Sequence, residues 1–326
     1  MAAAAAALAT ETSRPTYSAS AYWDTRYMGP AKNFDWFFNY PALKSLLHEH
    51  LPSGKVLHVG CGNSNIQEGM ASDGFKVTNV DISPVVIEQM KHQHADIQSL
   101  DYIVGDCRDM PQLEDGTFQS CIDKGTLDAV LCSQSGQVDA VKYLHEIDRL
   151  LQPGGKFLLI SLGAPAARLA LLQKQLWGAV QVLLLPKPLL YLQSDATMTG
   201  RPLPSQCAAN KDEPIRALGP WPAATALQEL AAQELDTRDY FFAYICTKTP
   251  PQRPGLEPGP GLGLEQAAAE KQQLLLQQQL EREHLQEQQE PVGQVQQVPL
   301  MVVASPPVAV AVAGAPVAAP EAEVAA

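Results

Sequence analysis

Between residues 55 and 161 short apolar runs alternate with helical patterns, and this alternation restricts the fold more than any other feature of the chain. Lys55–Val59 (KVLHV) is β-branched and ends in glycine, and Phe75–Val80 (FKVTNV) is a second such run that ends at Asp81. Pro84 then opens a helix, where its missing N–H costs nothing, and Val85, Ile87, Met90 and Lys91 continue it. Leu100–Val104 and Phe118–Ile122 read as third and fourth strands. Val138, Val141, Leu144, Ile147 and Leu151 recur on one helical stripe. Pro153-Gly154-Gly155 supplies turn chemistry after that helix. Phe157–Ile160 is apolar at every position, as a strand buried on both faces requires. Strands alternating with helices build βαβ units, so a doubly wound α/β fold is expected. Trp177–Leu185 and Tyr240–Lys248 add a sixth and a seventh strand to a mostly parallel, seven-stranded sheet.

The folded domain is expected over residues 20–249, with an insertion at about 186–236 that is rich in proline and small residues and has one amphipathic segment near 225–235. From residue 250 the composition changes. A Pro/Gly linker leads to a Gln/Glu/Leu-rich stretch at 265–290, and residues 291–326 alternate Val, Ala and Pro without aromatic anchors. A disordered low-complexity tail is expected there. Residues 1–19 are alanine- and hydroxyl-rich without a basic n-region, so a secretory signal is not expected; a disordered start or a weak organellar transit peptide remains.

Charge and cysteine usage narrow the partners. The formal net charge is −12, with 19 Lys+Arg against 25 Asp+Glu over 20–250 and 3 against 9 over 251–326. Neither part offers a basic face, so nucleic acid is not expected as the primary partner. An acidic surface suits a basic protein instead. The six cysteines form no C-x-x-C pair, and the histidines at 48/50 and 92/94 are two apart, which turns them to different sides of a helix. Free thiols in a reducing, cytoplasmic setting and no metal site are expected. Pro186, Lys187 and Pro188 break the longest apolar run, so no membrane span is expected.

The residues with chemistry sit at expected strand ends. In VLHVGCGNSNI, Gly60 and Gly62 follow the first strand, where a nucleotide-like ligand approaches backbone and a Cβ would obstruct it. Asn65 stands where a dinucleotide fingerprint would have its third glycine, which disfavours NAD and FAD, and no P-loop is present. Asp81, 19 residues after Gly62, ends the second strand and can accept both hydroxyls of a ribose. Asp106, after Gly105, ends the third and could accept from an adenine amino group. Singly, each acid could equally be an ordinary cap; as a set they point to one nucleoside. The fourth strand runs into Asp123-Lys124-Gly125-Thr126-Leu127-Asp128. Asp123 and Asp128 could hold an incoming ammonium, or could cap the turn and face solvent, and the sequence leaves both readings open. YWDTRY (22–27) and FDWFFNY (34–40) are dense in aromatics. Phe37 and Phe38 read as core, while Trp23, Tyr27 and Trp36 read as a lid whose rings could cover adenine and attract a cation.

Together, YWDTRY, FDW, VLHVGCGNS, VTNVDIS, VVIEQM, GDCRDM, IDKGTLDAV and RLLQPGGKFLLISL resemble the eukaryotic elongation factor 1-alpha lysine methyltransferases, including the N-terminal domain of methyltransferase-like protein 13. The resemblance covers about 20–185 and the strand at 240–248. It implies a class I methyltransferase fold, S-adenosylmethionine as cofactor, and an elongation factor 1-alpha-like protein substrate. Carried over by position, it implies cofactor contacts from Trp23, Tyr27, Trp36, Gly60, Asp81, Ile82, Asp106, Cys107 and Lys124. A small-molecule methyltransferase and a non-catalytic scaffold are the alternatives.

Overall fold

A computed structural model describes residues 17–29, 34–175, 177–204 and 207–250. The start at 1–16 and the tail at 251–326, with the disorder expected for both, lie outside the described residues. Helices α1 (Ser20–Tyr27) and α2 (Tyr40–His50) precede the sheet. The chain then runs β1 (Lys55–Val59), α3 (Ile66–Ser72), β2 (Lys76–Asp81), α4 (Pro84–Gln93), β3 (Leu100–Val104), β4 (Phe118–Lys124), α5 (Thr126–Val130), α6 (Gly136–Leu150) and β5 (Leu151–Ser161). It continues with α7 (Pro165–Leu172), β6 (Trp177–Pro186), α8 (Leu189–Thr199), β7 (Leu218–Pro222), α9 (Ala223–Ala232) and β8 (Tyr240–Lys248).

The strands lie in the order β3-β2-β1-β4-β5-β8-β6-β7. β1 pairs in parallel with both β2 and β4, so the winding reverses there, and in open α/β sheets ligands bind beyond the C-terminal strand ends at such a reversal. β8 enters antiparallel between β5 and β6. The sheet therefore has eight strands, not seven. The extra one, β7, comes from the 186–236 stretch and pairs antiparallel with β6. Its sequence, LGPWP, reads as a turn because Gly219, Pro220 and Pro222 all oppose a ladder; prolines are tolerated because β7 is an edge strand.

Pro153-Gly154-Gly155 also departs from its expected role. α6 ends at Leu150 and the chain becomes extended at once, with Leu151 at φ −74, ψ 138. The Pro-Gly-Gly run lies inside β5 as an irregularity: Phe118 pairs with Leu151, yet Ser120 pairs with Lys156. Beyond it Phe157, Leu158, Leu159 and Ile160 are all fully buried. Their period-two alternation divides them between the two faces, Leu158 and Ile160 joining Val56 and Ile122, and Phe157 and Leu159 joining Leu57 and Cys121.

Candidate active site

The turn after β1 is built for close approach. Gly60 and Gly62 take φ +59 and φ +51, a region that disfavours any side chain. A Cβ on Gly60 would land inside the Thr126 hydroxyl, which donates to the Val59 carbonyl at 2.9 Å and so locks this turn to the start of α5. A Cβ on Gly62 would stand 2.8 Å from the Tyr27 hydroxyl. Gly60→Ala should therefore destabilise the domain by about 2–4 kcal/mol, through left-handed backbone strain and the clash with Thr126 together. Urea unfolding of the variant checks this, and a midpoint equal to wild type would mean that the turn yields freely.

Asp81 ends β2 directly beside this turn. Its carboxylate accepts the Gly62 N–H and the Ser83 N–H, each at 2.9 Å, and is buried. Burial raises its pKa to about 6, with the backbone N–H groups of Ser83, Gly62 and Ile82 pulling the other way. Each carboxylate oxygen has two lone pairs, so accepting capacity remains for a hydroxyl group. Gly105 donates its N–H to the Asp81 carbonyl at 3.0 Å, which brings the ends of β2 and β3 side by side. Asp106 follows, but its carboxylate is turned onto Arg108, accepting from Nε at 2.9 Å and from Nη2 at 2.6 Å. Arg108 in turn reaches Asp139 at 3.0 Å. Asp106 thus stands where the sequence places it, with part of its accepting capacity already used. Cys107 is half-buried against the second core cluster, and burial pushes its thiol pKa up.

α1 lies over the same edge. Ser20 donates to the Ile82 carbonyl at 3.2 Å, Ser83 donates to Asp24 at 2.5 Å, and Gln89 donates to the Tyr27 carbonyl at 2.9 Å. These bonds carry Trp23 and Tyr27, whose rings stack 6.0 Å apart at 23°, to the Asp81–Ile82 turn. Trp36 arrives from the other side. Its ring meets Phe34 edge-on at 5.2 Å, and the Arg26 guanidinium stands 4.9 Å from the Phe34 centroid and 5.8 Å from that of Trp36. Phe37 and Phe38 are buried as expected. Phe37 nonetheless has φ +64, and Phe38 N–H donates to the Trp36 carbonyl at 2.7 Å, which makes a tight γ-turn of the strained hand.

The end of β4 corrects the two acids whose role stayed open. Asp123 is fully buried and accepts from Thr126 N–H at 2.7 Å, Leu127 N–H at 2.9 Å and the Tyr143 hydroxyl at 2.8 Å. It caps α5, and burial raises its pKa to about 7. Asp128 accepts from the Ser161 hydroxyl at 2.6 Å, the Leu162 N–H at 2.9 Å and the Arg168 guanidinium at 2.5 Å, tying α5 to β5 and α7. The capping reading holds for Asp123; Asp128 is a cross-link rather than a solvent-facing acid, and neither presents a free carboxylate to an amine.

Lys124 leads to what the sequence concealed. Its ammonium is buried, donates to the Trp36 carbonyl at 3.0 Å and pairs with Asp35 at 3.1 Å. Burial lowers its pKa, and Asp35 opposes that shift. The Asp35 carboxylate also accepts the Ser64 hydroxyl and the Asn65 N–H, the latter at 3.1 Å. One acid therefore joins the glycine turn, the end of β4 and the aromatic segment. The only local sign of it was a single carboxylate inside FDW, among aromatics. Tyr191 and Lys211, both from the insertion, were also missed: Tyr191 accepts the Phe37 N–H at 3.3 Å and Lys211 donates to the Asp35 carbonyl at 2.7 Å.

Comparison with known proteins agrees with this geometry. Residues 57–159 match a family model described as a methyltransferase domain. The chain is 40% identical over 156 residues to the mouse "eEF1A lysine and N-terminal methyltransferase", covering 45% of this chain and 22% of that protein. It is 36% identical over 162 residues to the mouse "EEF1A lysine methyltransferase 4", covering 45% and 62% respectively. A human "eEF1A lysine and N-terminal methyltransferase" is 40% identical over 151 residues, 43% of this chain and 21% of that protein. The matching part thus spans about a fifth of the longer relatives and less than two thirds of the shorter one. This chain carries a methyltransferase domain, and in sequence it resembles the eEF1A lysine methyltransferases.

Proposed function

We propose that the protein is an S-adenosylmethionine-dependent protein-lysine N-methyltransferase acting on an elongation factor 1-alpha-like protein. The observation that carries this reading is the meeting of the Gly60–Gly62 turn, the Asp81 carboxylate and the aromatic lid at one sheet edge. The likeness to proteins named for eEF1A methylation supports the choice of substrate. A left-handed glycine turn hydrogen-bonded to a buried acid that keeps accepting capacity fits an adenosine.

When bound, the cofactor supplies a methyl group already activated on a sulfonium. The chain's task is to align and desolvate. Asp81 would hold a ribose hydroxyl and the glycine turn would admit the ligand to the backbone. Trp23, Tyr27 and Trp36 would cover it and exclude water, their rings facing a cation favourably. Lys124 and Asp35 fix the lid to the turn. The acceptor amine must arrive without its proton, which burial beneath the aromatic segment favours.

Because Asp81 titrates near 6 in the free protein, cofactor affinity should depend on pH. The carboxylate accepts a hydroxyl, whereas the protonated acid gives up an acceptor position. Affinity should be full above about pH 7 and fall as pH drops through about 6, with ligand binding drawing the pKa of Asp81 downward. Calorimetric titration of S-adenosylhomocysteine from pH 5 to 8 checks this. For the function itself, purified elongation factor 1-alpha is incubated with the protein and labelled cofactor, and modified lysines are read by mass spectrometry. A parallel reaction offers a small-molecule extract in place of the protein, and label taken up only there would overturn the protein-lysine reading.

A further inference from the structure

Lys211 sits in the kind of surroundings that a substrate lysine needs. Its ammonium donates to the Asp35 carbonyl at 2.7 Å and stands 5.0 Å from the Phe34 ring centroid and 5.3 Å from that of Tyr191. Two aromatic faces and a carbonyl oxygen form a compact cation site. The site is built into the candidate active site, since the Phe34 N–H donates to the Asn63 side chain of the glycine turn at 3.3 Å. Resting on the lysine-methyltransferase reading above, we infer that Phe34, Tyr191 and the Asp35 carbonyl recognise the ammonium of the acceptor lysine, and that Lys211 fills this site as a stand-in which the substrate displaces.

Three features favour a stand-in over a permanent strap. The segment bearing Lys211 is anchored without its side chain: Asn39 N–H donates to the Lys211 carbonyl at 3.0 Å, Asn39 Nδ2 to Asp212 at 2.7 Å, and Ile215 N–H to the Ala42 carbonyl at 3.2 Å. The side chain can leave while its backbone stays. Lys211 is half-buried, so it has a route to solvent. Burial also lowers its pKa, with Asp35 opposing, so the ammonium is held against a desolvation cost that is recovered when the side chain moves out to water. A neutral side chain would gain nothing from the ring quadrupoles, so the site favours a cation.

The test uses the full chain with Lys211→Ala and n-butylammonium as probe, n-butanol serving as a neutral probe of the same length. Binding followed by NMR should show the variant taking n-butylammonium about tenfold more tightly than n-butanol, with the wild type taking neither, and adding Tyr191→Leu should remove the preference. In methyl transfer to purified elongation factor 1-alpha, Lys211→Ala should lower KM severalfold, because the resident competitor is gone. A merely structural lysine would give the opposite sign. Equal affinity for the two probes would overturn the cation site, and a raised KM would overturn the stand-in role. A cation preference without methyl transfer by either chain, cofactor binding being intact, would instead reject the lysine-methyltransferase reading and the acceptor role with it.

Discussion

Asp81→Ala should bind S-adenosylhomocysteine about 100-fold more weakly than the wild type, since a hydrogen bond from a ribose hydroxyl to a charged acceptor contributes roughly 1.5–3 kcal/mol. The substitution also removes the acceptor for the Gly62 and Ser83 N–H groups, so the turn that admits the ligand loses its brace. The fold should suffer less than the site. Ionised Asp81 is itself penalised by burial, as its pKa of about 6 shows, so removing it relieves one cost while creating another. Calorimetry combined with thermal unfolding separates the two effects. An affinity equal to wild type in a folded variant would take the adenosine away from this edge and the enzyme assignment with it.

The parts of the molecule that were legible in the sequence are those in which one residue's type decides the outcome locally. Gly60 and Gly62 announced a turn that excludes Cβ atoms, Pro84 a helix start, and Phe157–Ile160 a central strand. Asp81 could be placed because a strand's end fixes its last side chain against the neighbouring turn. The rest depended on partners distant in sequence. Nothing local shows that Asp123 caps α5 rather than orienting an amine; its engagement with Tyr143, 20 residues on, decides that. Asp128 is committed by Arg168, 40 residues away. Asp106 belongs to Arg108, only two residues on, but a Gly-Asp-Cys-Arg run is equally compatible with an acid left free. β7 was hidden for the opposite reason, because its local chemistry argues for a turn and only pairing with β6 makes it a strand. Lys211 and Tyr191 meet the aromatic segment across separations of 176 and 154 residues, which no periodicity reports.

The buried Asp35–Lys124 pair should produce the largest loss of stability in the domain. Asp35→Ala leaves a lysine side chain that is 5% exposed without its counter-ion, together with an unpaired Ser64 hydroxyl and Asn65 N–H. Breaking a buried ion pair from one side costs about 3–5 kcal/mol, and the orphaned donors add to that. A loss of this size is a large share of the roughly 5–15 kcal/mol that holds a domain together, so the variant should show a much lower urea midpoint with little change in slope. Lys124→Met in the same chain removes the stranded charge while keeping an apolar stem of similar length, so the double variant Asp35→Ala/Lys124→Met should recover most of the loss. If the double variant is instead as unstable as Asp35→Ala, the cost lies in the lost bonds to Ser64 and Asn65 rather than in an uncompensated charge. Cofactor binding by the double variant tells the remaining part: Lys124 also donates to the Trp36 carbonyl, so a chain that regains stability without regaining affinity would show that this lysine is there to hold the lid in place.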